Sequence, residues 1–282
     1  MGLVNYPVLK LKTPSVQTLG VLLLGLQCFC SHNALADCMP AGSGELAVID
    51  RVYDGDTVRL KDGRHVRVLG VNAPEVDHGK EKSGQALGDE ARLAVEAFMQ
   101  ADKQVRLFYD VERVDRYQRT LAHVYDMKGN SLSAYLLRQG LGFHVAIPPN
   151  LSLNACLHDQ EAIARNKGLG VWNHAGWQAI PASNLTLKDT GFKRVSGQVI
   201  NVRKAQSIWL ELDGPLTIKI TPTDLKNFPR QDWQSWKGKK VEVRGWVTEQ
   251  RESTTKKSVA SAKAKKSLVV QPRVAGSLDL LK

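Results

Sequence analysis

Two short stretches of this 282-residue chain carry residue types suited to chemistry on a phosphate. The first is Asp54-Gly55-Asp56-Thr57, an acidic turn between apolar-alternating runs. The second runs from Arg67 to Asn72-Ala73-Pro74-Glu75. Asp56 offers an anionic oxygen, Asn72 a neutral amide oxygen and Ala73 its backbone carbonyl. These are hard oxygen donors, the kind a divalent cation takes. Arg67, with Arg119 further along, can clamp a phosphodiester bidentately. Glu75 is placed to orient or deprotonate an attacking water, and an unperturbed glutamate near 4.3 is ionised at neutral pH. Hydrolysing a phosphodiester needs this division of labour: charge neutralised at the phosphate, water held in line. Each residue also has a plainer reading. Asp-Gly is a common turn former, Arg67 and Glu75 suit a weak surface ion pair, and Arg119 suits a solvated strand end. His123 and His144 lack the short ligand spacing of a zinc site and read as ordinary polar positions.

Elements must bring these residues together. Residues 46–53, 57–60 and 64–71 alternate as strands, with Asp62-Gly63 as a hairpin turn. Residues 81–99 read as a helix on the recurrence of Leu87, Ala91, Ala94, Val95 and Phe98. Strands follow at 105–109 and 121–125. A helix runs from Ser131 to Gly140 and another from Asn154 to Lys167, stopped by Gly168. Five short strands with interleaved helices predict a mainly β, α+β fold: a Greek-key barrel of the OB type.

Residues 37–183 resemble the staphylococcal nuclease (thermonuclease) family. The matches are Asp54-Gly55-Asp56-Thr57, Arg67 with Pro74-Glu75, Asp115-Arg116-Tyr117-Gln118-Arg119, Leu137-Arg138-Gln139-Gly140 and Gly168-Leu-Gly-Val-Trp172. They occur in the family's order and cover about half the chain. The resemblance implies an endonuclease cleaving DNA, RNA or both. It implies one calcium ion on Asp56, Asn72 and the Ala73 carbonyl, with Asp54 assisting through water. Arg67, Glu75 and Arg119 would be the catalytic residues, and Arg116 and Tyr117 would line the nucleotide pocket. Three positions depart from the prototype. It has aspartate where Asn72 stands and threonine at Ala73, and its tyrosine after the Gly140 helix falls near Ala146. One ligand charge fewer predicts weaker calcium binding, and an alanine for a tyrosine predicts looser base preference.

Beyond Pro181–Asn184, read as a linker, the charge changes. Residues 37–184 hold 17 Lys and Arg against 19 Asp and Glu, whereas 185–282 hold 20 against 9. The whole chain carries +11, which points to a polyanionic partner. Alternation predicts strands at 195–202, 208–212, 216–220, 241–247 and 268–270, with a helix over 224–236 interrupted at Pro229. Residues 184–282 therefore read as a second, smaller OB-like barrel that holds nucleic acid. Its candidate contacts are Trp209, as a base-stacking face, and the basic run Lys256, Lys257, Lys263, Lys265 and Lys266 as a phosphate-tracking arm. Packing for Trp209 and mere solvation for the lysines are the plainer alternatives. Trp233, Trp236 and Trp246 read as core.

Residues 1–36 read as a cleavable signal peptide. Lys10 and Lys12 are their only charges, Leu19 to Leu26 is an apolar run too short to span a bilayer comfortably, and Ala34-Leu35-Ala36 is a small-x-small site. Export would be to the periplasm or the medium. Cleavage leaves Cys38 and Cys156, which suggest one disulfide, two separate thiols being the alternative. No protein partner is implied. A nuclease-like barrel that binds nucleic acid without cutting it is the competing reading, and Asn72 and Ala146 give it room.

Overall fold

The computed structural model describes residues 2, 38–77, 79, 84–99, 101–251 and 266–281. The predicted signal peptide apart from Gly2, and Lys256, Lys257, Lys263 and Lys265, lie outside them, and Lys266 is described in its backbone alone. The first barrel is built from β1 (Glu45–Val52), β2 (Thr57–Leu60), β3 (His65–Val68), the short β4 (Val71–Asn72), α1 (Gly88–Phe98), β5 (Gln104–Phe108), β6 (Thr120–Tyr125), α2 (Leu132–Gln139), β7 (Phe143–His144) and α3 (Asn154–Lys167). It closes in the order β1-β2-β3-β6-β5, with β3 and β6 parallel and the other neighbours antiparallel. Val58, Leu60, Val66, Val68, Val105 and Leu107 fill it from alternate positions. Ser131 caps α2 by accepting the Ala134 N–H. Gly140 ends α2 with φ +70°, and a Cβ there would lie 2.2 Å from the Leu169 carbonyl oxygen. That approach joins two motifs distant in sequence, since Val171 donates its N–H to the Gly140 carbonyl at 2.8 Å. A Cys38–Cys156 disulfide, with Cα atoms 5.6 Å apart, ties the chain ahead of β1 to α3. Closing a loop of 118 residues contributes roughly 4–5 kcal/mol in the chain-entropy model.

The second barrel comprises β8 (Ile180–Pro181), β9 (Gly191–Lys204), β10 (Ile208–Leu212), β11 (Leu216–Ile220), α4 (Pro222–Leu225), β12 (Lys240–Arg251), β13 (Lys266–Val270) and β14 (Leu278–Leu280). The long β9 pairs with both β10 and β12, closing the ring β9-β10-β11-β13-β12. The fold is thus mainly β with few helices, an OB barrel followed by a second barrel. Alternation placed β10 and β11 to the residue, each with three buried and two half-buried positions.

Three expectations needed correction. Pro181–Asn184 is no free tether: β8 pairs in parallel with β9, and Ala182 is buried in the second core. The helix expected over 81–99 begins only at Gly88, because Leu87 adopts φ +70°, a left-handed conformation that cannot continue a helix. The helix over 224–236 is instead the short α4, capped by Thr221, and a 3₁₀ turn at Trp233–Trp236, with Pro229 between them.

The barrels belong to one compact unit, Leu35–Lys282. Their seam holds Phe143, with ring centroids 5.4 Å from Trp172, 5.2 Å from Trp177 and 5.2 Å from Phe192. Beside these rings lies an ion-pair network. Arg244 of β12 pairs with Glu161 of α3, the two side chains 3% and 1% exposed. Arg194 grips Glu242 through two bonds of 3.1 Å, and Arg165 reaches Asp279 at 2.6 Å. The guanidiniums of Arg165, Arg194 and Arg244 all lie about 5 Å from the Trp172 ring. Trp233 and Trp236 are buried as expected, but Trp246 is 43% exposed, at the rim of this seam.

Leaving Glu161 buried without its partner should be expensive. Arg244→Met is expected to cost about 3–5 kcal/mol in chemical denaturation, and the double replacement Glu161→Leu/Arg244→Met to recover much of that. Equal losses in the single and double variants would contradict the paired-charge account.

Candidate active site

The acidic turn is built by its own side chains. Asp54 Oδ1 accepts the Asp56 N–H at 2.8 Å, and Asp56 Oδ1 accepts the Thr57 hydroxyl at 3.1 Å. Gly55 is required by space: a Cβ there would sit 2.5 Å from the Ala73 Cβ and 2.9 Å from the Ala91 Cβ. The turn is thereby pressed between the chain after β4 and helix α1. Asp56 Oδ2 accepts the Ala73 N–H at 2.8 Å and a bond from Arg67 at 2.5 Å. The same guanidinium donates to the Asn72 side-chain oxygen at 3.2 Å and to the Val71 carbonyl at 3.0 Å. Asp54, Asp56, Asn72 and Ala73 are all buried.

Arg67 therefore bridges the two oxygens that the sequence assigns to a cation. The oxygens on that one positive charge are the Asp56 carboxylate, the Asn72 amide and the Val71 carbonyl, rather than the Ala73 carbonyl expected from the sequence. That hard-oxygen set fits calcium or magnesium. Charge balance fits too. Burial, then the neighbouring charge of Asp56, push Asp54 up to about 7, and the Glu75 charge adds to the effect, with Arg67 opposing it. The carboxylates Asp54, Asp56 and Glu75 outnumber the one guanidinium among them. They do not crowd as tightly as the ligand atoms of His144, His158 and Glu161, the set of acidic, His or Cys groups within 4.8 Å among the described residues. Asn72 and backbone oxygens must share the work.

Glu75 is exposed, and its main chain is pinned on both sides. Its N–H donates to the Gln85 side-chain oxygen at 2.9 Å, and its carbonyl accepts the Gln85 N–H at 2.8 Å. Arg119 precedes β6, which runs parallel to β3 with Arg67 opposite Leu121. Arg119 lies two residues before Leu121, just outside the strand. It does not join the Asp56 cluster here, being held by Asp115 at 2.8 Å. Tyr117 is 64% exposed, covered by Arg116 at 4.7 Å and Arg119 at 5.5 Å from its ring centroid. Gln85 and Asp115 are positioning residues: the sequence reading did not name Gln85, and quoted Asp115 within a family match without giving it a role. Asp115 had a signal, its four-residue spacing from Arg119; Gln85, ten residues from Glu75, had none.

On the second barrel, Trp209 is half-buried on the outer face of β10. Arg203 lies 5.4 Å and Lys219 4.9 Å from its ring centroid. It lies away from the core, with Arg203 held by Glu211 at 2.7 Å, and takes no part in the Asp56 cluster.

A profile of the family described as "Staphylococcal nuclease homologue" matches residues 65–174. That span includes Arg67, Asn72, Glu75 and Arg119 and begins after the acidic turn. The chain is 33% identical over 132 residues to a thermonuclease of Staphylococcus intermedius, covering 46% of this chain and 77% of that protein. It is 31% identical over 127 residues to a thermonuclease of Staphylococcus hyicus, covering 44% of this chain and 73% of that protein. The matches amount to about one barrel's length and leave the second barrel unaccounted for.

Asp54 should leave a pH signature in chelator. In the unfolded chain it titrates near 3.8, and in the fold near 7. The stability tied to its proton is full below 3.8 and is lost as pH rises through 7. Wild type and Asp54→Asn are expected to unfold at similar temperatures in acid. Wild type should then fall several degrees below the variant by neutral to slightly alkaline pH. A gap that does not change with pH would contradict this.

Proposed function

The chain belongs to the staphylococcal nuclease family, and from that premise we propose that it is an exported, calcium-dependent endonuclease acting on DNA, RNA or both. The observation that carries the proposal is the Asp56–Arg67–Asn72 cluster, with Glu75 fixed beside it. Asp56, Asn72 and the Ala73 carbonyl would hold the ion, and Asp54 would support it through water. Bound there, calcium supplies fixed positive charge against the phosphate.

The remaining work falls to this chain's own groups. Arg67 donates to Asp56, Asn72 and Val71 in this structure; with the ion on Asp56 and Asn72, its paired N–H donors would turn to two phosphate oxygens. Arg119, released from Asp115, supplies a second guanidinium. Both stabilise charge that grows in the transition state. Glu75 accepts the proton of the attacking water, and the rigid Gln85 bracket fixes its backbone while the carboxylate stays open to solvent. Tyr117 offers an exposed ring for a base, and Arg116 flanks it. With Asn72 and Ala146 in place of charged and aromatic groups, calcium binding and base preference should be modest.

The first barrel is close to neutral by sequence and the second strongly basic. Long-range recruitment of a polyanion accordingly belongs to the second barrel, through the surface at Trp209 and the lysines from Lys256 to Lys266. The Cys38–Cys156 disulfide supports an oxidising compartment, consistent with export.

Plasmid, single-stranded DNA and RNA should be cleaved with calcium and spared in chelator, with Glu75→Gln slower by about 10²–10⁴-fold. Cleavage that survives chelation or Glu75→Gln would overturn the mechanism. Binding without any cleavage would favour a non-catalytic nucleic-acid-binding protein. Replacing Lys256, Lys257, Lys263, Lys265 and Lys266 with alanine should weaken DNA binding and flatten its salt dependence, each lost phosphate contact removing about 0.9 from the log–log slope. An unchanged slope would refute recruitment by this run.

A further inference from the structure

His144 reads in the sequence as an ordinary polar position, but the fold gives it company. It lies on β7, paired with Val71 of β4. Facing it are His158 and Glu161, one turn apart on α3. One ligand atom from each of the three lies within 4.8 Å of the others. Both ring nitrogens of His144 and the Nδ1 of His158 are buried without a hydrogen-bond partner. His144 is 3% exposed. A neutral imidazole carries one donor and one acceptor, so three orphaned ring nitrogens at one spot are costly unless something fills the gap between them.

Glu161 retains capacity. One of its oxygens accepts the His144 backbone N–H at 2.6 Å and the other accepts Arg244. Each carboxylate oxygen has a second lone pair. Burial, with Arg244 and His158 nearby, holds His144 down to about 3, so its ring is already neutral and able to ligate. A cavity of about 250 Å³ lined by His144, Ala146, Arg244, Trp246 and Ser277 opens beside the cluster and provides a route in.

We propose that His144, His158 and Glu161 form a binding site for a transition-metal ion of the zinc class. Two imidazoles and a carboxylate are a nitrogen-rich set, unlike the all-oxygen group around Asp56. Ligands of a tetrahedral zinc stand roughly 3.3–3.5 Å apart, given zinc–ligand bonds of about 2.0–2.1 Å. The three side chains need only modest rotation to reach that spacing. The Arg244 charge opposes the ion, and Glu242 and Asp279 in the surrounding network offset it. The ion would pin β7 to α3 directly beneath the second barrel, stabilising the seam rather than joining phosphate chemistry.

The test uses the full chain, stripped with chelator, titrated with cobalt(II) and then zinc. One equivalent of cobalt should give the visible absorption of a nitrogen-ligated tetrahedral ion, and zinc should displace it. Glu75→Gln, at an exposed side chain outside the three proposed ligands, should bind as wild type does. His158→Gln, at a half-buried position, and His144→Gln should each bind at least about tenfold more weakly. Zinc should also raise the unfolding temperature of the wild-type chain above that in chelator. The proposal fails if no one-equivalent spectrum forms and zinc leaves the unfolding temperature unchanged. It also fails if both histidine variants bind as wild type does, or if Glu75→Gln removes the signal.

Discussion

One buried carboxylate, that of Asp56, holds three separate segments in register. Its oxygens take a hydroxyl from Thr57, an N–H from Ala73 and the guanidinium of Arg67. Its backbone carbonyl accepts the Val68 N–H at 2.8 Å. The turn after β1, the strand β3 and the chain leaving β4 meet at this residue. A carboxylate only 6% exposed persists because every one of those bonds compensates its lost hydration. The same atoms are the strongest cation ligand in the cluster. Arg67 thus serves as an internal counter-ion, and the site that would act on phosphate is also a keystone of the barrel. Asp54 shows the strain of this arrangement: buried, and next to Asp56 and Glu75, it keeps its proton to about pH 7.

The second barrel is joined by more than a tether. β8 and Ala182 stitch it to the chain that leaves α3, and Phe143, Trp172 and Phe192 give the seam an aromatic centre. Around that centre, charges of both signs are buried and matched. Separating the barrels would strand Glu161 and Arg244 in an incomplete environment, so rigid coupling is the low-energy state.

Much of this was legible in the chain itself, for physical reasons. Strands of five residues show a period of two, and β10 and β11 were readable to the residue. α3 was bounded at its end by Gly168. Two-residue strands have no period, so the β4–β7 and β8–β9 pairings were invisible, although β4 carries Asn72. Residue types gave Asp56, Arg67, Asn72 and Glu75, since few other chemistries want hard oxygens beside a guanidinium. They did not give the bridge Arg67 makes between Asp56 and Asn72, nor Arg119's attachment to Asp115. Glu161 and Arg244 are 83 residues apart, and no local signal links them. Trp246 was read as core, yet the alternation of the buried Val241, Val243 and Val247 puts it on the other face of its strand, which is partly open. His144 was passed over because its companions come from α3, outside any short spacing.

The central claim is that Asp56, backed by Asn72 and Asp54, is a calcium site. Calorimetric titration with calcium just below pH 7, in two buffers of different ionisation enthalpy, tests it most directly. Wild type should show one saturable site whose binding releases a fraction of a proton, the proton of Asp54, and Asp56→Ala should show none. Calcium binding that survives Asp56→Ala, or no saturable binding in wild type, would contradict the account.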